Sequence, residues 1–182
     1  LAFREQHPGI GLTLRELCST PQKQALREGQ IDVGFSRISV AETELIHQSL
    51  LREPLLLVLP QDHPLSALPE VPLESLQQEN LFLLSEDICP SFHHEILAAC
   101  TVAGFSPKSV PTAESVAKAL WLVGAGLGIT LGGASLLSTK PPGVVFRPAR
   151  NFSVFLELAA FWRTDNHHPF LPAFLTLAKQ ML

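Results

Sequence analysis

Hydrophobic and polar positions alternate with a period of two over residues 10–14, where every second residue is isoleucine or leucine. That period predicts a β-strand with one buried face. Thr20 and Pro21 follow in the usual order of a helix N-cap and a first helical residue, and they predict a helix that ends at Gly29. A second strand is predicted over 31–35. Strand, helix and strand in this order predict a parallel βαβ unit.

The remaining apolar segments continue the alternation of strands and helices. Short apolar runs predict strands at 45–51, 55–59, 81–84, 127–131, 144–146 and 154–162. Apolar positions at helical spacing predict helices at 73–77, 91–104, 113–123, from 133 onward, and 169–181. The fold class is therefore α/β, with mostly parallel sheets covered by helices. On the terminal helix, the apolar stripe predicted to pack on the first part of the chain consists of Phe170, Phe174, Leu177 and Met181.

One uncharged stretch, residues 119–139, is as long as the ~20 residues of a membrane-spanning helix. Five glycines interrupt it, and each costs ~1 kcal/mol relative to alanine inside a helix. The stretch is better explained as a helix, a glycine cap and a buried strand. The same glycines at 124–128 follow a helix, whereas a dinucleotide-binding motif follows a strand, so they do not predict a nucleotide site.

Charge and composition exclude several classes of function. The chain has 182 residues, with 13 Lys and Arg against 17 Asp and Glu, and this net charge of −4 is unfavourable for gripping a phosphate backbone. Its three cysteines have no metal-ligand spacing and are expected to be free thiols. The adjacent pairs His93-His94 and His167-His168 point apart on a helix and do not predict chelation of one ion. No P-loop or nucleophile elbow occurs, so we expect neither a cofactor nor an enzyme.

Helix N-termini at the carboxyl ends of strands offer the best candidate site, because unsatisfied N–H groups there attract anions. Ser19 and Thr20 follow the first predicted strand, and Ser91 begins a later helix. Arg37 follows the second strand and adds a full positive charge, while Phe92 offers an apolar wall. Together they predict a site for a small organic anion. Each also has an ordinary alternative, as a helix cap, a solvated loop residue or a core residue.

Four segments, at 4–10, 24–35, 53–65 and 122–129, resemble in the same order the effector-binding domain of LysR-type transcriptional regulators. The resemblance covers essentially the whole chain. It implies two Rossmann-like subdomains arranged as in type 2 periplasmic binding proteins, with a ligand cleft between them. Subdomain I would comprise residues 1–52 and 165–182, and subdomain II residues 53–164.

Within that family, Gly34-Phe35-Ser36-Arg37 and Cys89-Pro90-Ser91-Phe92 are most similar to members that sense compounds of aromatic catabolism, such as benzoate and muconate. The resemblance implies that the cleft is lined by Ser19, Thr20, Arg37, Pro90, Ser91 and Phe92. Gly132-Gly133 departs from the family, which usually has an apolar residue and proline there, and implies a less rigid wall. The family's preceding strand and winged helix-turn-helix are absent from these 182 residues, so we expect a fragment of a longer regulator.

The function implied is a cytoplasmic sensor that forms dimers or tetramers. A small organic acid, aromatic or unsaturated, would close the cleft and signal to DNA-binding domains elsewhere in the protein. One alternative is an exported solute-binding protein of similar fold, which a signal sequence upstream would favour. Another is an enzyme such as a prephenate dehydratase-like domain, but that family's Thr-Arg-Phe signature is missing.

Overall fold

The computed structural model describes residues 2–17, 19–36, 44–86, 90–108, 110–139 and 141–182. These residues form two units, one made of residues 1–52 with 157–182 and the other of residues 53–156. We call them unit 1 and unit 2. Whether they act as the two regulatory subdomains stays a prediction.

Short helices and strands alternate along both units. The α-helices are α1 (Ala2–Gln6), α2 (Ser19–Arg27), α3 (Pro90–Val102), α4 (Val116–Gly124) and α5 (Leu171–Gln180). The strands are β1 (Gly34–Ser36), β2 (Leu45–Pro60), β3 (Val71–Pro72), β4 (Leu81–Leu84), β5 (Thr112–Ala113), β6 (Ile129–Gly133), β7 (Val144–Arg147), β8 (Ala149–Arg150) and β9 (Phe155–Arg163). Short 3₁₀ helices span Pro64–Ala67, Leu73–Gln78 and Ala134–Thr139. The α/β class predicted from the sequence is confirmed.

In unit 1, β9 lies between β1 and β2 and pairs antiparallel with β1. The terminal helix α5 packs on this sheet through Leu171 and Leu175, which join Leu50 and Ala160 in a buried cluster. The predicted stripe is therefore wrong in part, because Met181 is 69% exposed. Phe174 is half-buried and does pack on unit 1, where its ring meets the rings of Phe3 and Phe35.

In unit 2, the second half of β2 pairs antiparallel with both β6 and β7. Strand β4 is parallel to β5 and to β6. The core between this sheet and α3 contains Leu57, Leu59, Leu81, Leu83, Ile96, Cys100 and Ile129, all nearly inaccessible to solvent. Burial on this scale stabilises the unit, since a fully buried Leu or Ile contributes ~1.5 to 3 kcal/mol.

The strand predicted over residues 10–14 is wrong. Residues 10–17 have no regular structure, and the side chain of Leu14 is 91% exposed. A strand exists only through its hydrogen-bonded neighbour, and no described residue pairs with this segment. The predicted parallel βαβ unit is absent for the same reason: β1 instead pairs antiparallel with β9. The sheets are mixed, not mostly parallel.

The two strands predicted at 45–51 and 55–59 form one continuous strand of 16 residues. Proline lacks an N–H and usually interrupts a strand, but exposed Pro54 precedes the pairing with β6, which begins at Leu55. No ladder bond to β6 is therefore required of it.

The glycine-rich stretch behaves as predicted, since α4 ends at Gly124 and Gly126 has a φ of 76°. No helix in the described residues is long and apolar enough to cross a membrane.

Candidate functional site

The start of α2 lies beside the end of β1. The Gln22 side chain donates a hydrogen bond from Nε2 to the carbonyl oxygen of Phe35, at 3.1 Å. Gly34 allows this approach, because a Cβ there would come within 2.9 Å of the Gln22 Cδ. Ser19 and Thr20 are the first two residues of α2, so the helix starts before the N-cap predicted at Thr20. Their backbone N–H groups belong to the helix end, where such groups have no partner inside the helix.

The start of α3 is tied in the same way to the end of β4. The His93 Nδ1 lies 3.1 Å from the carbonyl oxygen of Leu84. Because a carbonyl only accepts, this ring nitrogen carries the proton. Pro90 and Ser91 are the first two residues of α3, so Ser91 lies inside the helix and not at its N-cap as predicted. His94 Nε2 lies 2.9 Å from Glu86 Oε1, and both side chains of this pair are exposed.

The sequence left open whether Phe92 is an apolar wall of the ligand site or a core residue. It is half-buried and packs against the core of unit 2. Phe92 is therefore partly a core residue and is still partly accessible to solvent. An aromatic side chain in the first turn of a helix suits a ligand with a ring and an anionic group.

The predicted site residues divide between the units. Ser19 and Thr20 belong to unit 1, and Pro90, Ser91 and Phe92 belong to unit 2. Arg37 lies outside the described residues, immediately after the end of β1 at Ser36. Convergence of these residues on one ligand stays a prediction.

A buried carboxylate, Glu53, is the feature that the sequence did not predict. Glu53 is a residue of β2, and it is only 5% exposed. It accepts a hydrogen bond from the Ser135 hydroxyl at 2.9 Å and another from the Ser135 backbone N–H. These bonds fix the 3₁₀ helix that follows β6 to the strand. Buried carboxylates require such donors, because desolvation of an unpaired charge costs several kcal/mol.

Gly132 and Gly133 make room for this arrangement. Both are buried in β6, and a Cβ at Gly133 would lie 2.7 Å from the Glu53 Cδ. The resemblance implies a less rigid wall at these glycines. The structure places the Glu53 carboxylate against Gly133 and the Leu136 side chain against Gly132, so the space is filled.

Other reactive groups have ordinary surroundings. Burial raises the pKa of the Cys100 thiol, which disfavours the reactive thiolate. Cys18 and Cys89 lie outside the described residues. The described ranges contain no group of three side chains suited to a metal ion.

Comparison with known proteins identifies the family. A model described as the LysR substrate binding domain matches residues 1–182. This chain belongs to that family. The predicted resemblance to the effector-binding domain of LysR-type transcriptional regulators is thereby confirmed.

Two curated relatives illustrate the similarity. This LysR-family domain is 27% identical over 176 residues to the HTH-type transcriptional regulator AlsR of Bacillus subtilis (strain 168), covering 97% of the chain and 58% of AlsR. It is 31% identical over 140 residues to the HTH-type transcriptional regulator BenM of Acinetobacter baylyi, covering 76% of the chain and 46% of BenM. The chain thus spans about half the length of these curated relatives.

The solved structure of the BenM effector-binding domain with its effector benzoate has the same fold. The TM-score is 0.86 at 25% identity, and the match covers 99% of this chain and 82% of that one. Both relatives are named as transcriptional regulators and neither as a transport protein. The predicted periplasmic-binding-protein-like fold and the effector-binding domain are confirmed by these matches.

Proposed function

We propose that this chain is the sensing part of a cytoplasmic transcriptional regulator, which binds a small organic acid and transmits that event to DNA-binding domains. The observation that carries the proposal is the family match over residues 1–182, together with the likeness to a domain that holds benzoate. DNA contact would lie outside this chain, because its net charge of −4 disfavours phosphate contact.

The proposed effector site uses the first turns of α2 and α3. Backbone N–H groups at Ser19, Thr20 and Ser91 would donate to a carboxylate, since helix N-termini carry partial positive charge. Arg37 would supply the full charge, and Phe92, following Pro90, would contact the ring. The close packing of α2 on β1 and of α3 on β4 supports this assignment, because each helix start is held beside the end of a strand.

Calorimetric titration of benzoate and muconate tests the anion site. A hydrogen bond to a charged group contributes ~1.5 to 3 kcal/mol, so Arg37→Ala is expected to weaken binding about ten- to more than a hundredfold. Arg150→Ala is the matched control, because Arg150 is an exposed arginine of β8 paired with Glu70. Equal affinity of wild type and Arg37→Ala, for an acid that binds, would place Arg37 outside the site.

Phe92→Ala tests the aromatic contact separately. It should weaken benzoate more than a short aliphatic acid such as propionate, because the anion site stays intact while apolar contact is lost. Thermal unfolding of the variant checks that the partial loss of core packing leaves the protein folded at the assay temperature. A parallel loss for both acids would show that Phe92 supports the fold and does not contact the ring.

The proposal includes an isologous dimer or a tetramer of the intact regulator, through which closure of the cleft reaches the DNA-binding domains. Sedimentation of the full-length regulator at high concentration measures this. A monomer at all concentrations would contradict it.

A further inference from the structure

A groove of about 550 Å³ lies entirely within unit 1, and none of the residues that line it is among those proposed for the effector site. Its lining combines β2, β9 and α5, and includes Gln48, Trp162, His168, Leu171, Leu175 and Thr176. Leu171 and Leu175 are buried and Trp162 is half-buried, so the inner part of the groove is apolar. The volume is in the range of ~300 to 1,000 Å³ that is usual for small-molecule sites.

Two polar groups in this lining make no hydrogen bond to the described residues. Within the described part of the chain, neither the Gln48 side-chain amide nor the Trp162 indole N–H makes a hydrogen bond. An indole N–H donates only, whereas a glutamine amide both donates and accepts. A ligand with a carbonyl oxygen and an N–H would therefore complement both side chains.

A third polar residue in this lining, His168, makes two hydrogen bonds to its neighbours. The ring Nδ1 accepts from the Phe170 N–H at 3.4 Å, and the His168 backbone N–H donates to Asn166 Oδ1 at 3.0 Å. Asn166 is itself tied to the carbonyl oxygen of Asp32 at 2.9 Å. Because Nδ1 accepts, the ring proton is on Nε2, which offers a donor. The rim of the groove is thus a built structure and not a loose loop.

Charge decides the class of ligand. The ionisable side chains among the described residues that line the groove are the imidazoles of His167 and His168, and there is no Asp, Glu, Lys or Arg. The neighbouring Asp165 is paired with Arg163, with Oδ1 and Nε 2.8 Å apart, and this guanidinium lowers the pKa of Asp165. An ionised ligand would lose hydration in the groove and would find no permanently charged side chain among its described lining residues, which is unfavourable. An uncharged ligand loses far less.

We propose that this groove binds a small, planar, uncharged aromatic compound that bears an amide-like polar group. The ring lies against Trp162 and the leucine side chains, and the polar group pairs with the Gln48 amide. This is a second site, and it is chemically distinct from the anion site of the proposed effector, because it selects against the charge that the other requires.

The matched probes are 4-fluorobenzamide and 4-fluorobenzoate, which have similar shape and differ in charge. Fluorine NMR titration of the purified protein should show saturable binding of the benzamide that weakens at least tenfold in Trp162→Leu. Gln48→Leu should weaken it about three- to tenfold, as expected for lost hydrogen bonds between neutral groups. Trp121→Leu is the control, because Trp121 is 69% exposed and lies in unit 2, and it should change nothing.

Selectivity and independence complete the test. Any benzoate binding that is sensitive to Trp162→Leu should be at least tenfold weaker than benzamide binding, and Arg37→Ala should leave benzamide binding unchanged. Failure of the benzamide to bind, equal affinity in wild type and both groove variants, or equal groove affinity for the two probes would each overturn the proposal. If the wild-type protein did not bind benzoate, that result would count against the proposed effector site and would leave the groove proposal unaffected.

Discussion

Replacing Gly133 with alanine tests how tightly the buried Glu53 carboxylate packs against β6. The added Cβ would lie 2.7 Å from the Glu53 Cδ, closer than real Cβ contacts, so the carboxylate must move. Movement weakens its bonds to the hydroxyl and backbone N–H of Ser135. Hydrogen bonds to a charged group contribute ~1.5 to 3 kcal/mol each, and partial loss of two such bonds predicts a cost of ~2 to 4 kcal/mol.

Urea unfolding monitored by circular dichroism measures this loss of stability. Gly11→Ala is the control, because a Cβ at Gly11 meets no atom within 4 Å, and its free energy of unfolding should change by less than ~0.5 kcal/mol. A Gly133→Ala protein as stable as the control would show that the carboxylate moves aside without loss.

A double-mutant cycle then identifies the cause. Glu53→Ala removes the carboxylate, so Gly133→Ala should cost less than ~1 kcal/mol in that background. The difference from its cost in the wild-type background is the coupling energy of the two residues, expected at ~1.5 to 3 kcal/mol. If Gly133→Ala lowered the free energy of unfolding equally in both backgrounds, the loss would come from the β6 strand itself and not from the Glu53 carboxylate, and the reasoning would be refuted.

Three further predictions concern the packing, the helix caps and the thiol. Phe174→Ala should lower the free energy of unfolding by ~1.5 to 3 kcal/mol, less than for a fully buried ring, because Phe174 is half-buried against two phenylalanines; an unchanged urea midpoint would contradict this packing. Ser115→Ala should cost ~1 kcal/mol, since the Ser115 hydroxyl accepts from the Lys118 N–H at 3.1 Å and caps α4, whereas Ser115→Asp should retain the stability. Cys100 should react with a disulfide reagent at pH 8 far more slowly in the folded protein than in urea, because burial raises the pKa of its thiol; equal rates would show that the thiol is accessible.

Local signals in the sequence predicted most elements of unit 2. The strand at 81–84 coincides with β4, and the end of α4 at Gly124 follows from glycine chemistry that needs no knowledge of the rest of the chain. Residues 10–17 show where such signals stop. Alternation gives a segment the propensity to form a strand, but hydrogen bonds to a neighbour decide whether the strand forms. The same limit applies to the terminal helix. Helical spacing predicted a packed stripe that included Phe174 and Met181, whereas the residues buried against the sheet are Leu171 and Leu175.

The candidate sites could also be predicted from the sequence only in part. Helix starts at Ser19 and Pro90 follow from local turn chemistry, within one or two residues of the predicted positions. The groove at Trp162 and Gln48 escaped prediction because it joins residues far apart in the chain, on strands whose pairing is not visible in the sequence.

Glu53 shows how distant residues can reverse a local reading. Arg52-Glu53-Pro54 has the composition of a turn between two strands, because a charge and a proline usually leave the sheet. Ser135, 82 residues further along the chain, supplies the two donors that a buried carboxylate needs, and Gly133 supplies the space. With these hydrogen bonds made, Glu53 stays buried, and β2 runs unbroken from Leu45 to Pro60. The Glu53 carboxylate and the Leu136 side chain occupy the space where Cβ atoms at Gly133 and Gly132 would lie, and the cost of adding a Cβ at Gly133 measures the first of these contacts directly.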